Sequence, residues 1–268
     1  MLGGYDAVAK WIGRRCSDRI RLGTVVTGVR WQEGGVHIET RQPSGTSSGI
    51  VARAAIVALP LGVLQAEPGE PAAVAFDPPL AGESGKAAAL EGMTMGTVAR
   101  ITLRLREAFW TSSRFARRVK DQNLDRLSFL HTEDPDFPIW WTSYPVAAPV
   151  LVAWRGGVRA RAISAAGEDQ AVELAVAALG RQFGLTRREA RGMVTASWFH
   201  NWASDPYARG AYSYSVVGGI GAPAKLARPV RRTLFFAGEA SDSEGRTGTV
   251  HGAIASGRRA AAQLLRVL

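Results

Sequence analysis

At 268 residues the chain has room for one large domain or two smaller ones, and 46% hydrophobic with 21% charged residues is the composition of a globular protein that buries a core, not of a disordered one. A net charge of +10 would ordinarily point to nucleic acid or a membrane surface, but the 33 basic residues include only Lys10, Lys86, Lys120 and Lys225 as lysines, and the arginines are spread along the whole chain. The densest basic cluster, Arg114, Arg117, Arg118 and Lys120, has helix-like spacing without interleaved aromatics and reads as a solvated face, so neither nucleic acid nor membrane is expected as a partner. No apolar run reaches the ~18 residues of a membrane span, and the first residues lack the basic and apolar regions of a signal peptide, so the expected compartment is the cytoplasm. The single cysteine, Cys16, excludes an internal disulfide and a cysteine-based metal site.

From the N-terminus, Val8, Trp11 and Ile12 set a helical spacing and predict a short helix within Tyr5 to Arg15. Val25 to Trp31 and Gly35 to Thr40 read as strands around a Glu33-Gly34-Gly35 turn, and a Pro/Ser/Gly-rich turn from Gln42 to Gly49 leads to a third strand, Ile50 to Leu59. The end of that strand, Ala54 to Leu59, is apolar on both faces, as in a buried parallel sheet, and Pro60 closes it. Gly/Pro-rich sequence from Glu67 to Gly85 marks a passage between domains. Val98 to Leu105 alternates apolar and polar residues, predicting a half-exposed strand, and Trp140 to Tyr144 and Val150 to Trp154 extend the same sheet, expected to be mixed and flanked by helices.

Glu168 to Phe183 is a helix by its Val172, Ala175, Val176, Leu179 and Phe183 pattern, stopped by Gly184. An aromatic-rich stretch with turn residues follows from Trp198 to Tyr214. The last fifth of the chain is the most informative: strand-like Leu234-Phe235-Phe236, then Gly238-Glu239, a polar loop and a helix of small residues from Val250. Its expected buried stripe is Val250, Ala253, Ile254, Gly257, Ala261, Leu264 and Leu268. Such a unit offers a ligand the free N–H groups and positive dipole end of a helix, a glycine that tolerates close approach, and a carboxylate that accepts from sugar-like hydroxyls.

That strand-Gly-Glu-loop-helix unit resembles the C-terminal FAD-binding segment of the flavin-containing amine oxidases. Further family-like features occur in family order: Gly3-Gly4-Tyr5, Leu59-Pro60-Leu61-Gly62, Phe76 with Pro78-Pro79-Leu80, Met95-Gly96, Phe109-Trp110, and Trp202 with Asp205-Pro206 and Gly210-Ala211-Tyr212. The resemblance implies an α/β fold of the two-domain FAD-linked amine oxidase type, with an α+β substrate domain at 97–221 and an incomplete Rossmann-like FAD-binding domain at 1–96 and 222–268. It places Val26, Pro60, Trp202, Gly238, Glu239, Thr249, Val250 and Ala253 at the cofactor. Val26 would face the adenine, Glu239 a ribityl hydroxyl, and the Val250 N–H the flavin C2 carbonyl. Trp202 would sit beside the isoalloxazine, and Tyr212 would form one wall of the amine site, where an aromatic face binds a cationic amine.

Three departures from the family pattern matter. Thr249 stands where many monoamine oxidases have a second cage tyrosine. Arg100 stands where the family usually has a lysine beside flavin N5, and an always-charged arginine is poor at exchanging a proton. The N-terminal G-x-G-x-x-G unit, with its acidic residue ~20 positions on, has no counterpart; Gly219-Ile220-Gly221 lacks the preceding strand and the following carboxylate. The histidines His37, His131, His200 and His251 are scattered, so neither a triad nor a metal site is expected.

The expected function is oxidation of a C–N bond in a small-molecule amine by hydride transfer to FAD, with oxygen as acceptor. Two alternatives stand beside it: a non-catalytic fragment or subunit that needs a separate dinucleotide-binding half or self-association, and a flavin desaturase acting on C–C bonds.

Overall fold

A computed structural model describes residues 4–112, 115 and 124–268, and the basic cluster from Arg114 to Lys120 lies outside the described residues. Helix α1 (Asp6–Gly13) forms as the spacing predicts, but it buries none of its residues, and Trp11 and Ile12 stay exposed. Strands β1 (Val25–Gln32), β2 (Gly35–Arg41) and β3 (Ser47–Ala52) make an antiparallel meander.

The expected third strand is two strands. β3 ends at Ala52, and β4 (Ala55–Val57) leaves the meander to pair in parallel with β13 (Leu234–Phe236). The cause is the change in pattern: β3 has a wet face, with Val51 exposed, whereas β13 is buried throughout and requires an apolar neighbour. The Gly/Pro-rich passage is not all linker either. Its β5 (Ala75–Asp77) adds to the meander in parallel with β1, and Trp31 Nε1 donates to Pro78 O at 2.9 Å. The short helices α2 (Leu61–Leu64) and α3 (Lys86–Glu91) follow β4 and β5, and β6 (Met93–Met95) leads to the next layer.

There β7 (Val98–Leu105) is central to a five-stranded sheet with β8 (Phe129–His131), β9 (Ile139–Trp141), β10 (Val150–Gly156) and β11 (Val194–Phe199), in the order β11-β7-β10-β9-β8. Every pairing in it is antiparallel, so the expected mixed sheet is corrected. The helices α4 (Gly157–Ala165), α5 (Glu168–Phe183) and α6 (Arg187–Met193) carry the chain from β10 to the far side of β7. β11 therefore runs parallel to β10 without touching it. Thr142 to Tyr144 fall outside β9, where the chain turns towards a cis Tyr144-Pro145 bond.

Two hydrophobic cores result. One packs β7, β9 and β10 against α4 and α5, around Ile101, Leu103, Trp140, Leu151 and Leu179. The other joins residues 29–93 to 222–240, around Leu61, Leu80, Leu234 and Phe236. In the first, Arg181 of α5 makes two hydrogen bonds to the buried Asp134 carboxylate, at 2.7 and 3.1 Å, and reaches Asp136 at 3.0 Å. Asp134 Oδ1 also accepts from the backbone of Asp136 and Phe137.

Burial raises the Asp134 pKa, but Arg181 and these N–H groups outweigh it and hold the carboxyl below its usual range. The stabilisation is thus present above the unfolded value of ~3.9 and is lost as pH falls through the lower folded value. Arg181→Ala is expected to cost about 2–3 kcal/mol at neutral pH, less than a fully buried pair because the guanidinium faces solvent, and denaturant melts at pH 7 and pH 3 would show the difference shrinking on acidification.

β12 (Ser213–Ser215) pairs with β6, and α7 (Ala222–Ala227) packs on α3. The Gly219-Ile220-Gly221 segment between them has a packing reason for its first glycine, since a Cβ on Gly219 would stand 1.9 Å from Gly92 O. Gly219→Ala is expected to lower stability by about 1–3 kcal/mol through overpacking, read as a fall in thermal midpoint.

The chain closes with α8 (Val250–Leu265). Its buried residues are Gly252, Ser256 and Ala260, not the expected Val250–Leu268 stripe, whose members are half-buried or exposed. Small side chains at every fourth position allow close contact with the Gly238 turn, and that contact decides which face turns inward. No helix among the described residues is long and apolar enough to cross a membrane.

Candidate functional site

The parallel strands β4 and β13 both end at one cavity of about 460 Å³, a volume within the usual range of small-molecule sites. Leu59, Pro60 and Leu61 enter it after β4, and Gly238 and Glu239 after β13. Ligands of open α/β sheets bind at such carboxyl ends of strands. The opposite wall is built by Met95, Val98 and Arg100 around β7, Trp154 of β10, and Trp202, Gly210 and Tyr212 of the loop before β12.

The carboxylate is fixed on three sides. Glu239 Oε1 accepts from Ser213 N–H at 2.9 Å, while Oε2 accepts from Ser213 Oγ–H at 2.7 Å and Gly248 N–H at 2.6 Å. These contacts join β12, the β13 turn and the loop into α8 around a single charge. Gly238 adopts φ +105°, which only glycine takes readily, and its N–H donates to Ser256 Oγ of α8 at 2.9 Å. Thr249 caps α8, accepting from Gly252 N–H at 3.1 Å, and Asp242 accepts from the N–H groups of Glu244 and Arg246 within the intervening loop.

The two aromatic residues are held by backbone. Trp202 O accepts from Gly210 N–H at 2.8 Å, and Tyr212 O accepts from Gly96 N–H at 2.8 Å. The His200 ring meets Trp202 edge-on at 4.2 Å and hydrogen-bonds Asp205, whose carboxylate also accepts from Tyr207 N–H. That backbone bond and His200 hold the Asp205 pKa below the usual carboxylate range. Arg100 lies opposite Trp154 across the β7–β10 ladder, and its guanidinium stands over Trp141 at 5.9 Å.

Of the ten residues singled out from the sequence, this cavity gathers Pro60, Arg100, Trp202, Tyr212, Gly238 and Glu239. Val26 lines a neighbouring cavity of about 440 Å³ that shares Leu59 with it. Thr249, Val250 and Ala253 line neither cavity; they form the first turn of α8, tied to the site through the Gly248–Glu239 bond. No cluster of His, Cys, Asp or Glu able to hold a metal occurs among the described residues. Sequence reasoning missed Trp154 and Ser213, which carried no motif, and Arg259 of α8, which donates to Ala227 O, Phe236 O and Ser241 O behind the Gly238 turn.

Comparisons with known proteins agree with one another. The family model for flavin containing amine oxidoreductase matches residues 1–265. Lysine-specific histone demethylase 1 homolog 3 of Arabidopsis thaliana is 29% identical over 276 residues, covering 99% of this chain and 16% of that protein. Polyamine oxidase 3 of Oryza sativa subsp. japonica is 30% identical over 273 residues, covering 100% of this chain and 50% of its own length. A solved structure of wild-type putrescine oxidase bound to putrescine superposes with a TM-score of 0.75 at 20% identity, over 98% of this chain and 53% of that one, a likeness of fold. The chain thus spans about half the length of the polyamine and putrescine oxidases it matches. Its α/β architecture is that of part of a two-domain FAD-linked amine oxidase, and the chain belongs to the flavin-containing amine oxidoreductase family.

Proposed function

We propose that this chain supplies the isoalloxazine side of an FAD site and the substrate cavity of an oxidase that takes hydride from the nitrogen-bearing carbon of a small amine, with oxygen as acceptor. The observation that carries the reading is the meeting of Gly238-Glu239 and the Trp202/Tyr212 walls in one cavity at the ends of β4 and β13.

FAD is the cofactor of the family, and the residues present fit its flavin end. A Cβ placed on Gly238 would meet nothing nearer than Leu59 O at 4.0 Å, so the backbone stands open to close approach. A carboxylate has about four acceptor directions, so the three donors on Glu239 leave one for a hydroxyl. Pro60, Gly238 and Glu239 would hold the cofactor at the cavity, Val26 the adenine side, and the start of α8, with Thr249, Val250 and Ala253, would face the flavin carbonyl, the Val250 N–H donating to it. FAD, when bound, supplies the two-electron acceptor. Trp202 and Tyr212 orient the amine by their ring faces, and Arg100 contributes a fixed positive charge.

We place the cofactor part at residues 1–96 and 222–268 and the substrate part at 97–221. The separation of the two hydrophobic cores supports that division. The adenosine-diphosphate end is assigned to a dinucleotide-binding half outside these residues. Two features favour it: β4 and β13 form a sheet of only two strands among the described residues, and the apolar stripe of α8 is half uncovered. The cytoplasm, where Cys16 stays reduced, is the compartment we assign.

A titration of FAD fluorescence with the chain tests the reading. Saturable quenching, weakened at least tenfold by Gly238→Val, is expected; fluorescence indifferent to excess protein would overturn it.

A further inference from the structure

We infer that the amine taken by this cavity also carries a carboxylate, which is held in a second chamber lined by Arg155 and Arg161. The inference rests on the amine-oxidase reading and narrows its substrate class. The second chamber, about 480 Å³, lies against the first, and Met95, Val98, Trp154 and Tyr212 line both. A molecule whose nitrogen rests on the Tyr212 wall and whose other end passes Trp154 would bring that end to the two arginines.

Charge selects what that end is. Across both linings the charged residues are Arg100, Arg155, Arg161 and Glu239. Glu239 lines the first cavity and already accepts three hydrogen bonds from Ser213 and Gly248, its remaining acceptor direction being the one proposed for the cofactor hydroxyl. None of the three arginines has an ion-pair partner among the described residues. A diamine would bring its second ammonium to a second chamber whose lining holds two arginines and no carboxylate. A carboxylate in the same place meets guanidinium forks that match its geometry, the strongest of the common charged hydrogen-bond pairings.

The test is calorimetric binding of three amines of equal chain length, aminohexanoate, diaminohexane and hexylamine, to the full chain, with and without FAD. Aminohexanoate is expected to bind at least tenfold more tightly than diaminohexane, the gain of one charged hydrogen-bond pairing. The double variant Arg155→Gln/Arg161→Gln is expected to lose that preference while its affinity for hexylamine stays within about twofold, which also shows that it folds. Arg155→Lys should restore part of the preference. Equal or tighter binding of diaminohexane, a preference that survives the double substitution, or no binding of any of the three would overturn the inference. Because the preference is read without flavin, a chain that selects aminohexanoate but ignores FAD would sink the oxidase reading alone.

Discussion

Replacing Lys86 by methionine is expected to destabilise the protein by about 2–4 kcal/mol at neutral pH, because it leaves buried carbonyls without donors. Lys86 opens α3 and is 1% exposed. Its ammonium donates to Leu226 O at 2.5 Å and Arg228 O at 2.7 Å, with Lys225 O at 3.4 Å, and it lies 3.6 Å from the centre of the Phe236 ring. One side chain thus ties the end of α7 and the last residue of β13 to α3, directly behind the Gly238-Glu239 turn.

Burial, with the nearby Arg259 and Arg228 charges, pushes Lys86 down to about 7. A folded value below the unfolded one, ~10.4, means that the unfolded chain binds more protons between these two pH values. Stability should therefore rise with pH from about 7 towards 10, by up to about 1.4 kcal/mol per unit, and the rise should be absent in Lys86→Met. Denaturant midpoints at pH 6, 8 and 9.5 for both proteins check this: the gap between them should widen with pH.

Glu239→Ala is the second large effect. It removes an acceptor of three hydrogen bonds from Ser213 and Gly248, and each charge-assisted bond contributes about 1.5–3 kcal/mol, so a loss of about 2–4 kcal/mol is expected after the partners find water. Flavin affinity should fall further than stability alone explains. The same carboxylate that organises the β12 edge and the loop into α8 is the one proposed to receive a cofactor hydroxyl. Glu239→Gln keeps one oxygen acceptor and should recover part of the stability, but it turns an amide donor towards groups that are themselves donors. Chemical denaturation and FAD titration of both variants separate the two roles: a Glu239→Ala protein of unchanged stability would show that the three bonds are incidental.

Much of this arrangement was legible in the residues, for particular reasons. Gly238 and Glu239 stand directly after an apolar strand, and Gly184 after a periodic helix, so local pattern located both turns. The break between β3 and β4 left no such mark, since Arg53 and Ala54 are not turn residues; it is set by pairing with β13, far along the chain. The inward face of α8 was misread because hydrophobicity favours Val250, Ile254 and Leu264, whereas close approach to the Gly238 turn favours Gly252, Ser256 and Ala260. Trp154 sat in an apolar run that looks like core until the register sets it opposite Arg100. The Lys86 anchor joins positions 140 apart in sequence, and no local rule reports such a contact.

The most direct test is the visible absorption of flavin in the chain assembled with the proposed dinucleotide-binding half, titrated anaerobically with an amine and then opened to air. An amine is expected to bleach the oxidised flavin band, and air to restore it. A flavin that is held but stays oxidised with every amine, aminohexanoate included, would contradict it.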